Sequence, residues 1–200
     1  MLSSSTFLRC STTLLSGLLL VQCGSTAVSL DYQPSLTQIV PGPALVAAGR
    51  FANSRHEPAN MLGEVRTPIG TPMERIVTNI PVEEIVRNSF AYGLKSRNML
   101  IAQSSAAYVI GGEVLELNVI QVVRPAASAR IRVNLIHRPT GHVVFSKIYS
   151  SERVNGPYIP GTGSPVPDLR ELGSRVLQDV VDQALDDFAL RARINSSGAR

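Results

Sequence analysis

The run AYVIGGEVLELNVIQVVRPAASARIRVNLIHRPTGHVVFSKIYS, residues 107–150, decides the fold. It divides into three strand-like segments, Tyr108–Val123, Ala129–His137 and His142–Ser150, separated by turn residues that include Pro or Gly. With Val123 opposite Ala129 and His137 opposite His142, the period of two sorts the side chains onto two faces. One face collects Leu115, Leu117, Val119, Ile131, Val133, Leu135, Val144 and Ile148 and reads as a core face. The other carries Arg130, Arg132, Lys147 and Tyr149 among Ile120, Val122, Ile136, Val143 and Phe145. In this register Arg132 faces Lys147 and Tyr149 faces Arg130, so positive charge is concentrated on a half-apolar surface. Such a surface has the composition of a contact face. Arg130, Arg132, Lys147, Tyr149 and Phe145 are its candidate partner-binding residues.

Working outward, Ala44–Phe51, Met61–Arg66 and Glu74–Thr78 read as further strands. Residues 67–72 contain two prolines and a glycine and form no regular element. Pro81–Arg97 has apolar residues at helical spacing (Val82, Ile85, Val86, Phe90, Gly93, Leu94), with glutamates at its start and Lys95 and Arg97 at its end. Asn155–Pro167 is a Pro- and Gly-rich loop. Asp168, with Glu171 three residues on, predicts the N-cap of a helix running to about Arg193. The architecture expected is a two-layer α+β sandwich, a mostly antiparallel sheet with both amphipathic helices on the Leu117, Val133 and Val144 face. The chain divides into a signal peptide (1–22), a flexible tether (23–43), one domain (44–194) and a frayed tail (195–200).

Hydrophobic residues make up 44% of the 200 and charged residues 17%, which is too apolar for a disordered chain. The net charge is +4, yet the cations are scattered with no basic block, so no nucleic-acid partner is expected. An exported chain of this charge suits an anionic lipid or cell-wall polymer. Cys10 and Cys23, the only cysteines, lie in or beside the N-terminal apolar run, so no disulfide braces the domain.

Leu14–Val21 has the length of a signal-peptide apolar core. The following Leu20-Val21-Gln22-Cys23 resembles the lipobox of bacterial lipoproteins, with Gln22 where that pattern has Gly, Ala or Ser. The resemblance implies lipidation at Cys23 and, with Gly24 rather than Asp next, residence in an outer membrane facing the periplasm. Ser25-Thr26-Ala27 offers a second cleavage site, which would release a soluble periplasmic protein starting at Val28.

Chemistry is sparse. His137 and His142 face each other across a hairpin end, but two ligands do not make a zinc site and no carboxylate is near in sequence. His56, between Arg55 and Glu57, reads as a solvated turn residue. No nucleophile elbow, metalloprotease helix or phosphate loop occurs, and Asp179, Asp182, Asp186 and Asp187 are spaced for a solvent face. No metal, cofactor or catalytic residue is expected. The alternative readings are an exported hydrolase or metal-dependent enzyme built on His137, His142 and the Asn155–Pro167 loop, and a soluble periplasmic ligand-binding domain cut after Ala27.

The segments Phe51-Ala52-Asn53-Ser54-Arg55, Leu62-Gly63-Glu64-Val65, Pro81-Val82, Ala129-Arg130-Ile131-Arg132-Val133 and Val143-Val144-Phe145-Ser146-Lys147 together resemble the YajG-like bacterial lipoproteins. More distantly, the chain resembles auxiliary lipoproteins of ABC-type envelope transport systems. Asn53 stands where such proteins often have Asp in an Asp-x-Arg turn, and Asn98 where they often have Gly after the first helix. The resemblance implies a lipid-anchored, non-enzymatic domain of unsettled role facing the periplasm. The export segment, the sparse chemistry and the half-apolar outer sheet face lead us to expect a binding or assembly module with an envelope protein partner, auxiliary to lipid or cell-wall transport.

Overall fold

β5 (Tyr108–Gln121), β6 (Pro125–His137) and β7 (His142–Val154) form the antiparallel meander on which the other elements are laid, in a computed structural model describing residues 24–35, 39–159, 161 and 163–195. The first turn falls earlier than the spacing suggests, with Gln121 opposite Pro125, so β5 stops two residues short of Val123 while β6 and β7 run longer than expected. Between this turn and a bulge at Leu115 the sum of paired positions keeps its parity, and Leu117 and Val119 are buried on one face with Ile131, Val133 and Leu135 as expected. Leu115 falls at a bulge and is only half-buried.

The face assignment for β7 needs correction. His137 does pair with His142, but Leu135 pairs with Phe145 and Ile136 with Val143, leaving Val144 as an extra residue. A bulge of one residue moves every later side chain to the opposite face. Val144 and Ile148 are therefore exposed, while Phe145, Lys147 and Tyr149 lie on the helix-covered face with Leu135, Val133 and Ile131.

The other edge of β5 is shared. β2 (Val46–Asn53) runs parallel to its first half and β3 (Met61–Arg66) parallel to its end, at Val119–Gln121. The gap between them is filled by Arg55. Its Nη1 donates to the carbonyls of Leu117 (3.0 Å) and Met61 (2.8 Å), and its Nη2 to those of Pro58 and Ala59. Asn53 Oδ1 accepts from both the backbone N–H and the Nε of Arg55, so the Asn-x-Arg turn is a clamp between strands. Gly63 permits the closeness of β3 and β5, since a Cβ there would overlap the Val119 carbonyl.

β4 (Pro72–Thr78) pairs antiparallel with β3, and β1 (Gly24–Val28) adds a parallel edge strand to β4 from Gly24 opposite Glu74 to Val28 opposite Thr78. The sheet is thus mixed and seven-stranded among the described residues, in the order β1-β4-β3-β5-β6-β7 with β2 beside β5. A structureless tether over 23–43 does not fit residues 24–35. Beyond β1, Leu30 and Tyr32 pack on the core, and Tyr32 donates to Asp182 (2.6 Å). The expected signal peptide and Cys23 lie outside the described residues, as do residues 196–200.

α1 (Val82–Ser96) buries Val82, Ile85, Val86, Phe90 and Leu94, the stripe read from the sequence. Burial of side chains of this size contributes about 1.5–3 kcal/mol each. Asn98 takes the left-handed conformation at φ 56°, and Met99 N–H to Leu94 O and Asn98 N–H to Lys95 O close the helix end as a Schellman motif. α2 (Val166–Leu185) lies beside α1 on the same face, close enough at Gly93 that a Cβ would meet Leu185 and Tyr32.

Two details of α2 differ from the sequence reading. It begins before Asp168, with Ser164 Oγ accepting from Val166 N–H and Asp168 in the first turn. It also ends at Leu185, where Asp187 Oδ1 accepts from the N–H groups of Ala189 and Leu190 and starts α3 (Phe188–Asn195). The two-layer α+β architecture is the one expected, with three helices packed against the sheet instead of two.

Candidate functional site

The bulge at Val144 separates the candidate partner residues. Arg130 and Arg132 stay on the open face, each beside a carboxylate of β5: Arg132 Nη1 lies 2.9 Å from Glu113, and Arg130 Nε 3.9 Å from Glu116. Lys147 is on the other face, its Nζ 2.6 Å from Asp187 and 5.2 Å from the centre of the Tyr149 ring. Tyr149 is buried, and Phe145 packs half-buried against the core. Burial, and then the neighbouring Asp187, push the Tyr149 phenol above its ordinary range. The expected crowding of Arg132 with Lys147 therefore does not occur.

The open face still exposes Val143, Val144, Ile148 and Val154 along β7, which is an edge strand. Arg130 and Arg132 flank Ile148 and Ser150 there. His137 and His142 are opposite as expected, but His137 Nδ1 is engaged with Thr140 Oγ1 (2.9 Å) and its ring leans on Tyr108. No group of three metal-ligating side chains occurs among the described residues.

The acidic row of α2 faces protein rather than solvent, which corrects the sequence reading. Asp179 accepts from Arg153 Nε (2.7 Å), Arg153 Nη2 (2.8 Å) and Ser151 Oγ (2.7 Å) of β7. Burial by itself raises the Asp179 pKa, but these hydrogen bonds outweigh it and hold the carboxyl below its ordinary value. Asp182 and Asp186, one helical turn apart, both meet the guanidinium of Arg97, whose side chain is 1% exposed. Burial disfavours the charged guanidinium, and the hydrogen bonds with Asp186 and Tyr32 overcompensate, so Arg97 stays charged. Arg191 of α3 extends the network from Asp186 (2.9 Å) to the carbonyl of Val40 (2.8 Å).

At the far end of the sheet the structure leaves an open groove of about 820 Å³. Its walls come from the start of β1 (Gly24), the end of β3 (Val65), the start of β4 (Met73), the end of β5 with the turn after it (Gln121, Val122, Val123) and the loop around Tyr158. Tyr158 Oη donates to the carbonyl of Gly163, and Tyr158 N–H to that of Val123, which fixes the loop over the groove. Gln121 is 5% exposed, and its Oε1 is buried without a hydrogen-bond partner. Around the same end Ile69, Met73, Val123 and Ile159 are all more than half exposed.

The chain shares its fold with a solved bacterial protein. That protein, from Xanthomonas campestris and assigned to the DUF330 family model, matches with a TM-score of 0.60 at 15% identity, over 86% of this chain and 99% of its own. Lipoproteins are among the weaker matches. One is an uncharacterized lipoprotein B from Nitrosomonas europaea (8% identity, 78% of this chain and 92% of that one, TM-score 0.39). Another is a lipoprotein from Neisseria meningitidis (13%, 71% and 99%, TM-score 0.28). No family model matches the chain, and no curated protein does.

Sequence reasoning missed the groove because its wall is assembled from five separate segments. The Arg97 hub had a signal: a pair of aspartates at positions 182 and 186, spaced by one turn, opposite a basic residue at the end of the other helix.

Proposed function

We propose that the protein is an exported, non-enzymatic lipoprotein of the cell envelope, anchored through Cys23 to an outer membrane and serving as a binding or assembly module. The observation that carries the anchoring is β1. Its first residue, Gly24, follows Cys23 directly and is already paired with Glu74. Cleavage after Ala27 would remove Gly24–Ala27, four of the five residues of β1. Processing at Cys23 keeps the strand whole and puts the lipid next to the folded sheet. The exposed Ile69, Met73, Val123 and Ile159 then lie at the membrane-proximal end, where apolar side chains are favoured.

The proposed surface for a protein partner is the open face of β6 and β7, with Arg130 and Arg132 beside Val143 and Ile148. Its mix of arginine and aliphatic side chains suits a protein interface better than a bare solvent face. A role auxiliary to lipid or cell-wall transport fits this arrangement. Replacement Cys23→Ala tests the anchoring: the protein should leave the membrane fraction, and unchanged membrane association would refute it.

A further inference from the structure

We infer that the groove at the Gly24 end receives one acyl chain of the lipid on Cys23, an assignment that rests on the lipoprotein reading above. The occupant is argued from connectivity. Gly24 forms part of the wall, and the Cα of the preceding residue lies about 3.8 Å away. A ligand tethered at that distance is present at a very high effective concentration, so even a weakly selective apolar groove fills with it.

The lining has the matching chemistry. Val65, Met73, Val122, Val123 and the Tyr158 ring offer aliphatic and aromatic contact, and the volume of about 820 Å³ is that of a small-ligand site. The energetic balance permits the transfer. Two chains suffice for stable anchoring, and moving a third from bilayer to groove exchanges one apolar surrounding for another.

The test uses the full-length protein made in cells fed a fatty acid that bears a photoreactive diazirine. Envelopes are illuminated, and adducts are mapped by peptide mass spectrometry. The expected result is label on Cys23, with photo-adducts from that lipid to Val65, Met73, Val122, Val123 or Tyr158. Val123→Glu, at a position 58% exposed, should leave the Cys23 label unchanged. It should lower the groove adducts by about tenfold or more, because a charge is expelled from apolar surroundings. Label on Cys23 with adducts only to bilayer phospholipid overturns the groove assignment and leaves the lipoprotein reading standing. Groove adducts from phospholipid or free fatty acid not joined to Cys23 overturn it in favour of a foreign lipid. Absence of label from Cys23 overturns both readings.

Discussion

Arg97 and Asp186 form a two-pronged ion pair across the junction of α1 and α2, with Nε to Oδ1 at 3.0 Å and Nη2 to Oδ2 at 2.6 Å. Arg97 sits at the C-terminal end of α1, where its charge also complements the helix dipole. Because Tyr32 and Asp182 join the same guanidinium, one side chain ties the N-terminal segment to both long helices. Arg97→Met should therefore destabilise the domain by about 3 kcal/mol, roughly 6–12 °C in Tm, since it takes the guanidinium away from Asp182 and leaves Asp186 with Arg191 alone. Thermal denaturation followed by circular dichroism checks this, and an unchanged Tm would show the pair to be dispensable.

The bulge at Val144 makes charge reversals on β7 and β6 behave differently. Lys147→Glu places a carboxylate against Asp187 and should cost about 1–2 kcal/mol in stability. Arg132→Glu faces Glu113 on the open surface and should cost less than about 1 kcal/mol, while weakening capture of an envelope partner. Urea unfolding of the two variants separates them. Equal stability losses would mean that both residues share one face.

Acid should loosen the seam between the sheet and the end of α2. Burial alone raises the Asp187 carboxyl, but hydrogen bonds from Lys147 and from the N–H groups of Ala189 and Leu190 hold it below its ordinary value. A carboxyl depressed in the folded state stabilises above its unfolded pKa of about 3.9, and that contribution is lost as pH falls through the folded value. Tm should thus hold steady down to about pH 5 and fall below about pH 4. Asp187→Asn should flatten the acid limb, and an unaltered limb would locate the acid-sensitive group elsewhere.

Arg55 bridges the gap between β2 and β3, so Arg55→Ala should cost about 2–4 kcal/mol by stranding the carbonyls of Leu117 and Met61. Asn53→Asp keeps the acceptor for Arg55 and should be tolerated. Denaturant midpoints for the two variants check the contrast, and a tolerated Arg55→Ala would remove the clamp from the description.

Much of this was legible before the structure. The apolar stripe of α1 and the alternation in β5 and β6 are strong because the residues buried there, such as Phe90, Leu117 and Val133, recur with one period. The bulge was hidden because Val143, Val144 and Phe145 are all apolar, so either register satisfies the alternation. β1 was hidden for another reason. Gly24-Ser25-Thr26-Ala27 has no strand pattern of its own, and its pairing is supplied by Glu74–Val77, far along the chain. The break after α2 left a trace in Asp186-Asp187, since an aspartate just before a helical run is a natural N-cap. The partners of Asp179, namely Ser151 and Arg153, depend on which face β7 presents, and the bulge decides that.

The most direct measurement is the mass of the mature N-terminal peptide from protein purified out of envelopes. Processing that preserves β1 predicts a peptide beginning at Cys23 and carrying acyl groups. An unmodified peptide beginning at Val28 would contradict it, because the protein would then lack most of the strand that joins its anchor to the sheet.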